Sequence, residues 1–288
     1  DNQTSDLHAF TMFDHFYGSG GRIFDTAFIY NHGRGDKYLG DWINARNVEE
    51  DVIVLGKGAH TPECEPQYIR PQVLQSLERL QISKLDIFCL HRDNPDIPVD
   101  EFIDALADIK NEGLVNLIGA SNWEMDRFAE ARNYAITNAK EPFTVLSNNF
   151  SLAEMVEPVW PGCVGVNDHY LKYLIEERIM LFPWSSQARG FFIQKKEIMS
   201  NEHFSNPTLD EEMRVWHYEK NLRRRQVCFE IAQERNVQPI QVALAYVLHK
   251  SKLIFPLIGP RTIFESNSSI QATQLELTTK ELQALAQD

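Results

Sequence analysis

The chain has 288 residues, 43% of them hydrophobic and 24% charged, a globular composition long enough to bury a large core. Its formal net charge of −13 argues against nucleic acid or an anionic membrane as partner, because the mean field of the protein repels both. No apolar run approaches the roughly 20 residues that span a bilayer, and the first residues, DNQTSDLHAF, lack the basic and apolar parts of a secretion signal. Cys64, Cys89, Cys163 and Cys228 stand far apart without nearby histidines at metal-ligand spacing, so they read as free thiols of a reducing, cytoplasmic protein with no metal.

Short β-branched runs alternate with amphipathic stretches along the whole chain, the pattern of βα units around a parallel sheet. In chain order the sequence predicts a helix over 7–17, strands over 22–26 and 52–56, and a helix over 69–80 with Pro71 in its first turn. A strand over 85–90, a helix over 99–112 stopped by Gly113, a strand over 117–121 and a helix over 125–138 follow. Strands over 143–148 and 179–184 come next, then a long mixed stretch over 187–218 and a helix from near Asn221. The basic run Lys220, Arg223, Arg224, Arg225 reads as a solvated helix face. A seventh strand is predicted over 253–258. No linker divides the chain, so a single domain over 1–288 is expected, as in α/β barrels of about 250 residues.

Such alternation fits a doubly wound sheet or a closed barrel, and the glycine fingerprint of the former is absent: no G-x-G-x-x-G follows any predicted strand. In a barrel, polar side chains at the C-terminal ends of strands converge on one site. The first predicted strand ends at Asp25, with Tyr30 five residues on in FDTAFIY; the second runs to Lys57 in VIVLGKGAH; the third to His91 in DIFCLHRD. An Asp–Thr pair at a strand end is often only a turn, and a lone His often only a satisfied polar residue. Together the four make a proton-transfer set: Lys57, held by Asp25, supplies the charge that makes the Tyr30 phenol acidic, and His91 orients a carbonyl.

In order and separation, FDTAFIY, LGKG, SLERLQISKLDIFCLHRD, IGASNW and PLIGPRT resemble the aldo-keto reductase superfamily over essentially the whole chain. The resemblance implies an α/β fold, a (β/α)8 TIM-type barrel, with Asp25, Tyr30, Lys57 and His91 as catalytic tetrad and an NAD or NADP cofactor bound in extended form. It implies that Ser121 and Asn122 hold the nicotinamide amide, where Ser147 stands in place of a frequent Gln, and that Trp184 stacks on the nicotinamide where the family usually has Tyr. Ser185, Arg189, Gly259, Arg261 and Thr262 fall in its phosphate- and adenosine-binding segments, where Ser268 and Ser269 replace the usual Glu–Asn pair. Glu265 stands where relatives that prefer NADP often carry an Arg; a carboxylate there repels a 2′-phosphate and suits a free ribose hydroxyl, which leans the expectation to NAD.

The family's first strand would precede the helix over 7–17, so this chain is expected to lack it and its natural form to carry about 25 to 35 further residues before Asp1. The implied reaction is hydride transfer between the cofactor and an aldehyde or ketone, with Tyr30 as general acid or base and a small-molecule carbonyl compound as substrate. A cofactor-binding regulatory barrel with little turnover is the alternative, and a hydrolase or aldolase using Lys57 as Schiff-base nucleophile a third reading. Trp123, Trp160, His169, Arg92 and Asp93 are the candidate lining of a pocket for a polar, sugar-like substrate.

Overall fold

Strands rich in β-branched residues need a neighbour on each edge, and helices with one apolar stripe need a sheet to cover. In the computed structural model, which describes residues 2–193 and 214–287, the chain meets both needs in two compact units, Asp1–Ser147 and Asn148–Asp288.

In the first unit, α1 (Asn2–Gly18) leads into β1 (Ile23–Asp25), followed by α2 (Arg34–Arg46), β2 (Ile53–Gly58), α3 (Pro66–Leu80), β3 (Leu85–Leu90), α4 (Val99–Asn111), β4 (Val115–Ala120), α5 (Met125–Thr137) and β5 (Val145–Leu146). Each strand pairs in parallel with the next: Ile23 stands opposite Ile53, Leu55 opposite Ile87, Leu85 opposite Val115 and Gly119 opposite Val145. This sequential order is that of a β/α barrel, since a doubly wound sheet reverses direction at a switch point. The strand interiors Leu55, Phe88, Leu90 and Ile118 are buried, and α4, which packs against β4, buries Phe102, Ile103, Leu106 and Ile109, one stripe at helical spacing.

Local rules account for the boundaries. Gly113, at φ +77°, ends α4 as expected, its N–H donating to the Lys110 carbonyl (2.9 Å) and that of Leu114 to Ile109 (3.0 Å). Pro71 departs from the prediction: α3 begins at Pro66, which takes the first-turn position, and Pro71 lies inside the helix, where it deprives one carbonyl of its donor.

The second unit holds α6 (Asp168–Glu176), β6 (Met180–Leu181), α7 (Glu219–Arg235), α8 (Pro239–Lys250), α9 (Ile263–Ala272) and α10 (Thr279–Ala286). The strand predicted over 253–258 shrinks to one bridge, Ile254 to Leu181. The Leu181 N–H donates to Leu253 (2.8 Å), and Phe255 and Leu257 donate to Leu181 (2.8 Å) and Pro183 (3.0 Å). Pro183 lacks the N–H that would donate next in this ladder, to the Phe255 carbonyl. Of the stretch 187–218, residues 194–213 lie outside the described residues.

The basic run also differs from its prediction. Arg224 is buried and donates to the Leu152 carbonyl (3.1 Å), while Arg225 donates to the carbonyls of Phe191 (2.6 Å) and Ile193 (2.9 Å). Lys220 and Arg223 pair with Glu154 and Glu219 at the surface, and buried Arg224 also reaches Glu154 at 3.2 Å. Among the described residues no helix is long and apolar enough to cross a membrane.

Gly119 is where β4 and β5 approach most closely: a Cβ there would stand 2.3 Å from the Val145 carbonyl oxygen. Because that oxygen is backbone, Gly119→Ala is expected to lower stability by about 1–3 kcal/mol, read as a lower urea midpoint; an unchanged midpoint would show that the two strands can part without cost.

Candidate active site

Parallel pairing brings the C-terminal ends of β1, β2 and β3 to one edge. Asp25 ends β1, Lys57 lies opposite Cys89 near the end of β2, and His91 follows β3 with its N–H on the Gly58 carbonyl (2.7 Å). After Asp25 the chain keeps to β2, Thr26 donating to Leu55 and Phe28 to Lys57 (both 2.8 Å). It then folds over in a tight turn in which Asn31, His32 and Gly33 have φ of +51°, +57° and +82°, a run of left-handed residues that is costly away from glycine. That turn presents Tyr30. Lys57 Nζ donates to Asp25 and lies 5.1 Å from the centre of the Tyr30 ring, while the His91 ring meets Tyr30 at 5.6 Å and 80°. The four residues singled out in the sequence thus share one place in the first unit.

Their electrostatics differ from the expectation in one respect. Burial opposes charge on Lys57, 3% exposed, but Asp25 and Tyr30 outweigh it and raise the Lys57 pKa, so the ammonium is retained. Burial raises Asp25 against the pull of Lys57. Tyr30 is also raised: burial at its phenol oxygen dominates, Lys57 lowers it, and Asp25 cancels part of that help. Lys57 therefore moderates the phenol without making it acidic on balance. His91 is held well below the ordinary histidine range by burial first and by the charges of Lys57 and Arg92, so it is a neutral imidazole at pH 7.

Around this centre lie residues the sequence did not mark. Asp36, fully buried, accepts hydrogen bonds from Thr26 (2.6 Å) and Ser76 (2.8 Å), tying the end of β1 to α2 and α3. An acid in a helix first turn reads as ordinary dipole compensation, which hid it. Ser121, buried after β4, donates to the Ser147 carbonyl (2.5 Å) and accepts from Asn122 Nδ2 (2.9 Å), which also reaches the His91 carbonyl (3.3 Å). These three form one polar cluster on the first unit.

The second unit carries the remaining candidates. A cavity of about 220 Å³ is lined by Ser185, Arg189, Gly259, Arg261, Glu265 and neighbours. Thr262 caps α9 through the Glu265 N–H (3.2 Å), and Ser186 fixes one wall by donating to Leu257 (2.8 Å). Arg261 is exposed, while Arg189 stacks over Trp160 at 5.2 Å and Trp160 lies 6.2 Å from Trp184. The Trp184 Nε1, buried, has no hydrogen-bond partner. Glu265 does not face solvent: it is buried, and its carboxylate accepts the Arg261 N–H at 2.6 Å.

Two residues of the expected pocket lining have other tasks. Trp123 is fully buried between Phe102 and Phe143, and Asp93 is paired with Arg127 at 2.8 Å. Trp160 and His169 are exposed on the second unit; Arg92 is buried beside the tetrad.

The sequence profile of the Aldo/keto reductase family matches residues 1–287. The chain belongs to the aldo/keto reductase family. Its fold class is therefore the (β/α)8 barrel, and the chain is an oxidoreductase of carbonyl compounds that uses a nicotinamide cofactor. Among curated proteins it is similar to norsolorinic acid reductase B of Aspergillus parasiticus, 25% identical over 292 residues, covering 96% of this chain and 73% of that one. It is also similar to an NADP(+) aryl-alcohol dehydrogenase of Phanerodontia chrysosporium, 25% identical over 301 residues, covering 96% and 74%.

The neutral His91 sets a pH dependence. Unfolded, a histidine titrates near 6.5, whereas in this aldo/keto reductase His91 stays neutral well below that, so the unfolded chain binds the extra proton and stability falls as pH drops through about 6.5. Between pH 7.5 and 5.5 the wild type should lose about 1 kcal/mol relative to His91→Asn, measured by urea unfolding; parallel pH profiles would show that His91 protonates in place.

Proposed function

We propose that this aldo/keto reductase reduces an aldehyde or ketone, with Tyr30 delivering the proton to the carbonyl oxygen, and that Asp25, Lys57 and His91 serve that transfer. The observation that carries the reading is the buried Lys57–Asp25 pair set against the Tyr30 ring. With its pKa raised, the phenol keeps its proton at neutral pH and releases it only to a strong base, which the carbonyl oxygen becomes as its carbon is reduced. The phenolate left behind meets the Lys57 ammonium, which Asp25 keeps charged. Neutral His91 can hydrogen-bond the carbonyl without adding a second positive charge.

The residues present fit a nicotinamide dinucleotide: two guanidiniums stand at a cavity whose wall at Gly259 leaves open space, a Cβ there meeting nothing within 4 Å. Arg189 and Arg261, with Ser185, Gly259 and Thr262, would hold its phosphates; Ser121, Asn122 and Ser147 its carboxamide; Trp184 the face of its ring. When bound, the nicotinamide supplies or accepts the hydride.

For the choice of cofactor, the lean to NAD has no support. It rested on a Glu265 carboxylate presented to a ribose, whereas that carboxylate is buried and accepts a backbone N–H. Arg261 is exposed and forms no ion pair among the described residues, so a 2′-phosphate suits it, and one relative is named for NADP(+). NADP is the proposed cofactor.

Two measurements test these assignments. Tyr30→Phe should lower kcat by several orders of magnitude while cofactor binding, followed by NADPH fluorescence, stays nearly intact, and Lys57→Met should do similar damage; retained turnover in Tyr30→Phe would remove Tyr30 from the mechanism. NADPH should be preferred over NADH by at least tenfold in kcat/KM, about 1.4 kcal/mol, and Arg261→Ala should erase most of that preference. Equal use of both cofactors by the wild type would refute the role given to Arg261.

A further inference from the structure

His60 stands beside the tetrad, and the proton transfer leaves it without a task. Immediately past β2, Ala59 takes φ +55° and its N–H is held by Gln72 Oε1 (2.7 Å), a buried side chain whose own amide donates to Glu63 (2.8 Å). Beyond His60, buried Cys64 donates to the Arg92 carbonyl (3.3 Å) and accepts at its own carbonyl from Asn94 (3.1 Å). The segment is thus tied on both sides of the ring. The half-buried His60 ring packs on His91, centres 4.8 Å apart at 77°, and His91 in turn faces Tyr30.

The tautomer of His60 follows from one contact. Its Nδ1 lies 2.8 Å from the Thr61 carbonyl oxygen, and a carbonyl only accepts, so Nδ1 carries the proton. Burial first, then the charge of Arg92, hold its pKa below the ordinary range, so the ring is neutral at pH 7 and Nε2 is a bare lone pair. That atom has no protein partner among the described residues and is not sealed from solvent. The charge that reaches it is the Arg92 guanidinium, and its ring neighbour is His91. One acceptor beside a cation, a single ring from the group that would hold the carbonyl, takes a polar hydrogen brought by the ligand. A hydroxyl supplies it without charge, whereas an ammonium would be repelled by Arg92.

We propose that His60 accepts a hydrogen bond from a hydroxyl on the carbon next to the reacting carbonyl, which makes α-hydroxy aldehydes and ketones, open-chain small sugars among them, the preferred substrate class. The assignment rests on the carbonyl-reductase reading of the tetrad. It makes His60 a substrate-positioning residue and leaves the proton with Tyr30.

The test compares 2-hydroxypropanal with propanal, which differ only in that hydroxyl, under NADPH and under NADH. Wild type should favour 2-hydroxypropanal by about tenfold in kcat/KM, mostly through KM. His60→Phe should bring the ratio close to one, and His60→Gln, whose Oε1 restores an acceptor, should recover most of it; matching melting temperatures exclude a folding defect. A wild-type ratio near one, a ratio that survives His60→Phe, or a His60→Gln variant as indifferent as His60→Phe overturns the assignment and leaves the reductase reading intact. No turnover of either aldehyde by the wild type with either cofactor overturns the reductase reading itself.

Discussion

A lysine that is 3% exposed at the end of β2 can stay charged only if a carboxylate meets it, and the Lys57–Asp25 pair is the constraint to which the first unit is fitted. Removing one partner of such a pair typically costs about 3–5 kcal/mol because the other is left buried and unpaired. The parallel register of β1 and β2, with Asp25 opposite Leu55, sets the two backbones so that side chains two residues apart along the sheet can meet. Thr26, Asp36 and Ser76 then fix the end of β1 against α2 and α3. Stability in this unit is given up for a fixed charge at a strand end, where a hydrophobic pair would pack more favourably.

The Tyr30 turn shows the same exchange in the backbone. Three consecutive left-handed residues, only one of them glycine, persist because their surroundings leave no alternative. The Gly33 Cα is so close to Arg79 that a Cβ would stand 2.5 Å from its guanidinium carbon, and Arg79 is itself held by the Phe28 carbonyl (3.0 Å) and the buried Asp36 (3.9 Å). Asp36 thus supports both the strand that ends at Asp25 and the turn that carries Tyr30.

Much of the first unit was legible in the sequence, since a strand buried on both faces is a run of apolar residues and a covering helix repeats them at helical spacing. The β3 boundaries agree with the prediction to the residue, and Gly113 marks the end of α4 through its backbone. The grouping of Asp25, Tyr30, Lys57 and His91 was legible because polar residues at the ends of such strands stand out against them. What escaped depends on contacts distant in sequence. Trp123 looked like pocket lining but fills the space between Phe102 and Phe143. Asp36 went unmarked because its partners Thr26 and Ser76 lie 10 and 40 residues away, and Arg224 and Arg225 looked solvated although they brace carbonyls some 30 to 70 residues away. The strand over 253–258 failed for a reason on the facing segment, Pro183, which has no N–H to donate to the Phe255 carbonyl.

Charge poses the last problem. A chain of net charge −13 repels an anionic dinucleotide at long range, so the proposed cofactor must be retained by groups within a few ångströms. The cavity of the second unit has the means. Glu265, which lines it, has its carboxylate turned onto the Arg261 N–H. Arg261 stays exposed, and the guanidinium of Arg189 lies over the Trp160 ring at 5.2 Å. A guanidinium exposed at the cavity offers phosphate a charge-assisted hydrogen bond at short range, which is what an acidic protein needs where an anion is to bind.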